Sequence, residues 1–132
     1  MKKFALDTDI ASFYLKGNVK LIDRINREVK DGSIVIPSIV YFEIKKWLLK
    51  NCAKVKLAAF ENLLVKYGVD TITKETLDAS LAVYIDLKSK NITIDDCDIF
   101  IAGYCIHKDY ILITNNTNHY QNIKYLKIEN WM

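Results

Sequence analysis

The chain has 132 residues, 51% hydrophobic and 27% charged, with a formal net charge of +3. This is a globular composition, too rich in apolar residues for a disordered chain, and no apolar run approaches the roughly 18 residues of a membrane span. The mild positive charge does not by itself indicate a nucleic-acid partner.

Met1-Lys2-Lys3-Phe4-Ala5-Leu6 begins like a secretion signal but meets Asp7 after three apolar residues, where such a signal needs about 7–15. The expected location is therefore cytoplasmic. Lys3–Leu6 reads as a short buried strand running into Asp7 and Thr8. Ile10–Leu15 predicts a short helix stopped near Gly17-Asn18. In Val19–Lys30 the residues Val19, Leu21, Ile22, Ile25 and Val29 follow a helical period, and Asp31-Gly32 stops it. Ser33–Ile36 is a β-branched strand ended by Pro37, with Ser38 as the expected N-cap of a helix over Ile39–Leu49. A further helix is predicted over Ala53–Lys66, stopping at Gly68, then a short strand over Val69–Ile72 and a helix over Lys74–Lys88. Thr93 or Asp95 starts a helix to about His107; Tyr110–Thr114 is a strand, Asn115–Asn118 a polar turn, and Tyr125–Ile128 a last strand. Alternating strands and helices predict α/β layers around a largely parallel sheet, in one domain over residues 1–132. Such sheets place their sites beyond the carboxyl ends of the strands, near a switch in strand order.

Cys52, Cys97 and Cys105 are odd in number and lack a Cys-x-x-Cys spacing. They read as buried free thiols of a reducing compartment, and His107 and His119 complete no zinc-ligand spacing with them. Lys45, Lys46, Lys50, Lys54 and Lys56 cluster within twelve residues. They suit either a phosphate-facing patch or an ordinary solvated helix face.

Three acids stand on elements that read as buried. Asp7 ends the run Phe4-Ala5-Leu6, Glu43 shares a helical stripe with Ile36, Ile39, Val40 and Trp47, and Asp98 opens the apolar run Ile99-Phe100-Ile101-Ala102. Isolated buried carboxylates cost several kcal/mol or lose their charge. One shared site, where a hard divalent cation offsets their repulsion, accounts for all three and points to a metal-dependent hydrolase. Taken singly, Asp7 suits a turn, Glu43 a buried salt bridge and Asp98 a helix N-terminus. Asp95 lies three residues before Asp98 and can assist it; Asp96 faces water, and Asp9 can cap the following helix.

Together these segments resemble the motifs of the PIN-domain ribonucleases, in particular the VapC-type toxins. Leu6-Asp7-Thr8-Asp9-Ile10 looks like the opening motif, which usually reads Leu-Asp-Thr-Asn. Pro37 to Ile44 looks like the second, ending in Glu43, and Asp98-Ile99-Phe100-Ile101-Ala102-Gly103 is similar to the third. Leu112 to Tyr120, with Thr114-Asn115-Asn116, looks like the fourth, and Ile128-Glu129-Asn130-Trp131 is a typical close. The resemblance covers essentially the whole chain. It implies a three-layer α/β/α sandwich with a mainly parallel sheet and cleavage of RNA, transfer RNA included, dependent on Mg2+ or Mn2+. It also implies a homodimer and a cognate antitoxin, with no membrane partner. Asp7, Glu43 and Asp98 would be the metal ligands, supported by Thr8, Asp9, Asp95, Thr114 and Asn116.

Two departures stand out. Asp9 replaces the usual Asn and adds a negative charge. The fourth motif often carries another acid, where this chain has Asn116 and His119. Trp47, Tyr41 and Phe42 are candidate antitoxin contacts, although their apolar character suits the core better. Two other readings remain: a non-catalytic PIN-like module that binds RNA or a partner, and a phosphatase resembling the haloacid dehalogenases. In the second, Asp7 would be the nucleophile, Asp9 the general acid and Asp95-Asp96 the late acidic motif.

Overall fold

Apolar runs with no polar alternation form strands buried on both faces, as parallel sheets require. In the computed structural model, which describes residues 1–132, the strands are Lys2–Leu6 (β1), Gly32–Pro37 (β2), Val69–Asp70 (β3), Ile111–Ile113 (β4) and Lys127–Glu129 (β5). The apolar runs of β1, β2 and β4 are the buried ones, and the edge strands β3 and β5 carry charged residues and stay partly exposed. The helices are Thr8–Leu15 (α1), Val19–Glu28 (α2), Ser38–Lys50 (α3), Lys54–Tyr67 (α4), Lys74–Ser89 (α5), Asp96–Lys108 (α6) and Thr117–Tyr120 (α7). The five strands pair in parallel in the order β3-β2-β1-β4-β5. With helices on both faces, this is the expected three-layer α/β/α sandwich.

The chain leaves central β1 toward β2 and β3, then returns to lay β4 on the other side of β1. The order thus reverses between β1 and β4, and the carboxyl ends of these two strands flank the crevice where α/β sheets bind ligands. Asp7 follows β1 and Thr114 follows β4, and the Asp7 N–H donates to the Ile113 carbonyl at 2.9 Å. Phe4, Ala5, Leu6, Ile34, Ile36, Leu112 and Ile113 form the sheet's part of one continuous core. Trp131 closes that core edge-on against Phe4, with ring centroids 4.9 Å apart.

Some local expectations are corrected. α3 is capped by Pro37 without a side-chain hydrogen bond, so Ser38 is its first residue and not its N-cap. The segment read as a polar turn, Asn115–Asn118, runs into α7, a helix of four residues. Its sequence, Thr117-Asn118-His119-Tyr120, has little helical preference, and the anchor is tertiary: Tyr120 is buried. The cysteines are free, as expected, but only Cys105 is buried; Cys52 is exposed and Cys97 half-buried.

α5 and α6 approach closely at Gly103. A Cβ there would lie 2.7 Å from the Ser80 nitrogen and 2.8 Å from its Cα, contacts that only a backbone shift relieves. Gly103→Ala is therefore expected to destabilise the fold by about 1–3 kcal/mol, read as a lower urea midpoint at unchanged slope.

Candidate active site

The crevice opens into a cavity of ≈ 550 Å³. Asp7, Asp9, Glu43, Asp98 and Asn116 line it, and so do Lys16, Lys46, Trp47 and Lys56. Sequence distance hides this proximity. Asp7 follows β1, Asp9 stands in the first turn of α1, α3 delivers Glu43, α6 delivers Asp98, and the loop after β4 delivers Asn116.

Asp7 is the most deeply held, at 5% exposure. As the N-cap of α1 it accepts from the Thr8 N–H through Oδ1 at 2.8 Å. The buried Thr114 hydroxyl donates to Oδ2 at 2.8 Å. Thr114 Oγ1 in turn accepts from the Asn116 N–H at 3.0 Å, which fixes the start of the loop. The Tyr120 hydroxyl lies between two acids, 3.0 Å from Asp98 Oδ1 and 3.3 Å from Asp7 Oδ1. Thr8 donates its hydroxyl to Glu43 Oε1 at 2.6 Å and ties the start of α1 to α3. Asp9 accepts from the Ile10 N–H at 2.7 Å and, across the crevice, from the Asn115 N–H at 3.0 Å. It therefore braces the β4 loop against α1 and does not cap the helix.

These acids crowd one another. Burial, and after it the charge of Asp9, pushes the Asp7 carboxyl up to about 7, although the Thr114 and Thr8 donors pull it down. Asp9 is raised as well, chiefly by burial and further by Asp98. Burial beside Asp7 and Asp98 pushes the Tyr120 phenol upward, so it stays a neutral donor. The Nε2 of half-buried His119 lies 3.1 Å from Asp98 Oδ2. The contact is an ion pair when the imidazole is protonated, and it is not aligned as a hydrogen bond. A potential cation thus stands where the fourth motif often has an acid.

Of the expected site residues, Asp7, Thr8, Asp9, Glu43, Asp98 and Asn116 share the cavity. Thr114 stands behind Asp7 and positions it. Asp95 is an exposed N-cap of α6 that makes no side-chain cap bond and does not line the cavity, so it lends Asp98 no direct support. Two functional neighbours, Tyr120 and the His119 contact, were missed by sequence reasoning; a large aromatic closing a polar run is the one available hint. Among the lysines, Lys46 and Lys56 face the cavity while Lys45 pairs with Glu61 at 3.2 Å. Trp47 and Phe42, expected in the core, are 51% and 58% exposed.

The acids do not close into a ready metal cluster: no three Asp, Glu, His or Cys side chains stand together as ligands. Thr8, Thr114, Tyr120 and His119 engage the carboxylates in this structure. The donor chemistry nevertheless suits a hard cation. The donors are all carboxylate oxygens in one cavity, and the burial that chiefly raises Asp7 and Asp9, with the acids' mutual repulsion added, is what a divalent charge offsets.

No family model matches the chain. Curated relatives do. The tRNA(fMet)-specific endonuclease VapC of Shigella flexneri is 26% identical over 137 residues, covering 99% of each chain. Ribonuclease VapC2 of Haemophilus influenzae is 23% identical, covering 100% of each. Among solved structures, DNA-bound VapBC from Salmonella typhimurium matches with a TM-score of 0.92 at 25% identity, over 100% of both chains. VapBC2 from Rickettsia felis, bound to a promoter DNA fragment, matches with a TM-score of 0.93 at 22% identity, over 98% of this chain and 99% of that one. Motif order, whole-length similarity and fold agree: the chain resembles the VapC ribonucleases over its full length and shares the fold of the solved VapBC toxins.

Proposed function

We propose that the protein is an endoribonuclease, the toxin of a VapBC-type pair, which hydrolyses RNA phosphodiesters at the crevice between β1 and β4. The observation that carries this reading is the placement of Asp7, Glu43 and Asp98 on one cavity at the sheet's switch point, with Asp7 buried and its charge poorly compensated. The whole-length VapC similarity supports it.

Asp7, Glu43 and Asp98 would hold Mg2+ or Mn2+. The chemistry such an ion supplies when bound is acidification of a water and neutralisation of charge on the phosphate. The chain's own residues do the positioning. Thr114 and Tyr120 fix the Asp7 carboxylate, Thr8 fixes Glu43, and Tyr120 spans Asp7 and Asp98. Asn116 faces the cavity with an amide able to orient a phosphate oxygen. Lys16, Lys46 and Lys56 draw the RNA backbone in, so cleavage weakens as salt rises.

A cytoplasmic location, a cognate antitoxin and a homodimer belong to the same proposal. No helix is long and apolar enough to cross a membrane. The solved VapBC relatives support the antitoxin partner. For the second copy we assign the outer face of α5, where Leu81 and Ile85 are 60% and 63% exposed one turn apart beside Leu77 and Tyr84. Ile85→Glu is expected to turn a dimer of twice 15.3 kDa into a monomer with unchanged circular dichroism; light scattering reads the mass.

The test of the function is incubation with total transfer RNA in Mg2+, Mn2+ or EDTA. Discrete fragments are expected only with metal. Intact RNA in every condition, with no metal binding, would favour the non-catalytic PIN-like module, the reading favoured by the open spacing of the acids. The phosphatase reading loses support, because both Asp7 oxygens are engaged and Asp95-Asp96 open α6 outside the cavity.

A further inference from the structure

The cavity holds more than acids. α1 and α3 carry its wall away from the carboxylates, and four residues beyond Glu43, about 6 Å along α3, stands Trp47. Half of this indole is open to solvent. Single exposed apolar side chains are common on proteins, but Trp47 lines the same cavity as the acids, in company with Lys16, Lys46 and Lys56. The Lys56 ammonium lies 5.6 Å from the indole centroid. Phe42 is as exposed and also carries a lysine, Lys46, at 5.4 Å from its ring, yet it does not line the cavity.

An aromatic platform with ammonium groups beside it, at the mouth of an acidic site, matches one occupant by charge and shape: an unpaired nucleotide. Its base stacks on the indole, its phosphates meet the lysines, and the neighbouring phosphodiester lies toward the carboxylates. An apolar peptide would leave the ammonium groups without partners. We propose that Trp47 is the stacking platform for an unpaired base adjoining the scissile phosphate, with Lys46 and Lys56 holding the flanking backbone. This rests on the ribonuclease reading above and deepens it: the enzyme selects single-stranded or looped RNA, and Trp47 sets affinity and not the rate of bond cleavage.

The experiment pairs cleavage kinetics on total transfer RNA with a fluorescence titration of a mixed-sequence, single-stranded RNA dodecamer in EDTA. The only other indole, Trp131, is buried, so quenching reports Trp47. Quenching is expected in the wild type. Trp47→Ala should raise KM about ten-fold, the usual scale for one stacked base, and leave kcat within about two-fold. Trp47→Phe should restore most of the affinity, and Phe42→Ala should leave KM unchanged. Because Trp47 is half exposed, both variants at this position should melt with the wild type. Cleavage by Trp47→Ala at unchanged KM overturns the inference and leaves the ribonuclease reading intact. So does a Trp47→Ala variant that loses only the affinity for its antitoxin, which would give this wall to a protein partner. A wild type that neither binds nor cleaves RNA overturns the ribonuclease reading, and the inference with it.

Discussion

Replacing Asp7 with Asn is expected to abolish RNA cleavage while making the metal-free protein more stable above pH 7. The carboxyl titrates near 3.8 when exposed and is pushed up to about 7 in the fold, first by burial and then by Asp9. Between those values the folded state binds the proton more tightly than the unfolded chain. The resulting stabilisation is complete below about pH 4 and is lost as pH rises through 7. Above that, the ionised, buried carboxylate opposes folding by up to about 4 kcal/mol, at about 1.4 kcal/mol per pH unit of displacement. An amide has no charge to desolvate. Its oxygen keeps the Thr8 donor, and the Thr114 hydroxyl is able to accept from its nitrogen. Thermal melts at pH 5 and pH 8 check this. At pH 5, where about a third of the loss has accrued, the variant should melt only about 4 °C above the wild type, and at pH 8 on the order of 10 °C above it. Mn2+ should close that gap by stabilising the wild type alone. An equal difference at both pH values would contradict the assignment.

Asp98→Asn tests the second acid with little cost to the fold. Its side chain is 21% exposed, and the amide oxygen still accepts from Tyr120. The expected result is a fall in kcat of about 10³-fold or more, the scale of removing one charged partner from the reacting centre. The melting temperature should stay close to that of the wild type. Tyr120→Phe removes the hydroxyl that spans Asp7 and Asp98 but keeps both acids. It should cost about 10- to 100-fold, as for residues that orient metal ligands. Asp98→Asn with wild-type kcat would remove this residue from the site.

The sheet and the three acids were readable because local pattern reports them. Asp7 follows three apolar residues, and Asp98 precedes an apolar helix, so each carries its own signature of a charge near a core. Other features depend on what the fold brings from afar. The Tyr120 hydroxyl reaches Asp98 and Asp7 from 22 and 113 residues away, and the polar residues before it disguise both its burial and the short helix that presents it. Trp47 misled for the opposite reason: its apolar stripe along α3 predicts burial, but the cavity removes the neighbour that would have covered it. Nor does spacing separate Lys46 and Lys56, which face the cavity, from Lys50 and Lys54, which do not. Asp95 has the right spacing to Asp98 but stands just before α6, turned to solvent.

Calorimetric titration of Mn2+ into wild type, Asp7→Asn and Asp98→Asn at pH 7, in two buffers of different ionisation enthalpy, tests most directly that the three acids act as one cation-dependent site. Saturable binding is predicted for the wild type only. It should release up to about half a proton, because Asp7 is close to half protonated at that pH. Equal binding by all three proteins, with no buffer dependence, would contradict the account.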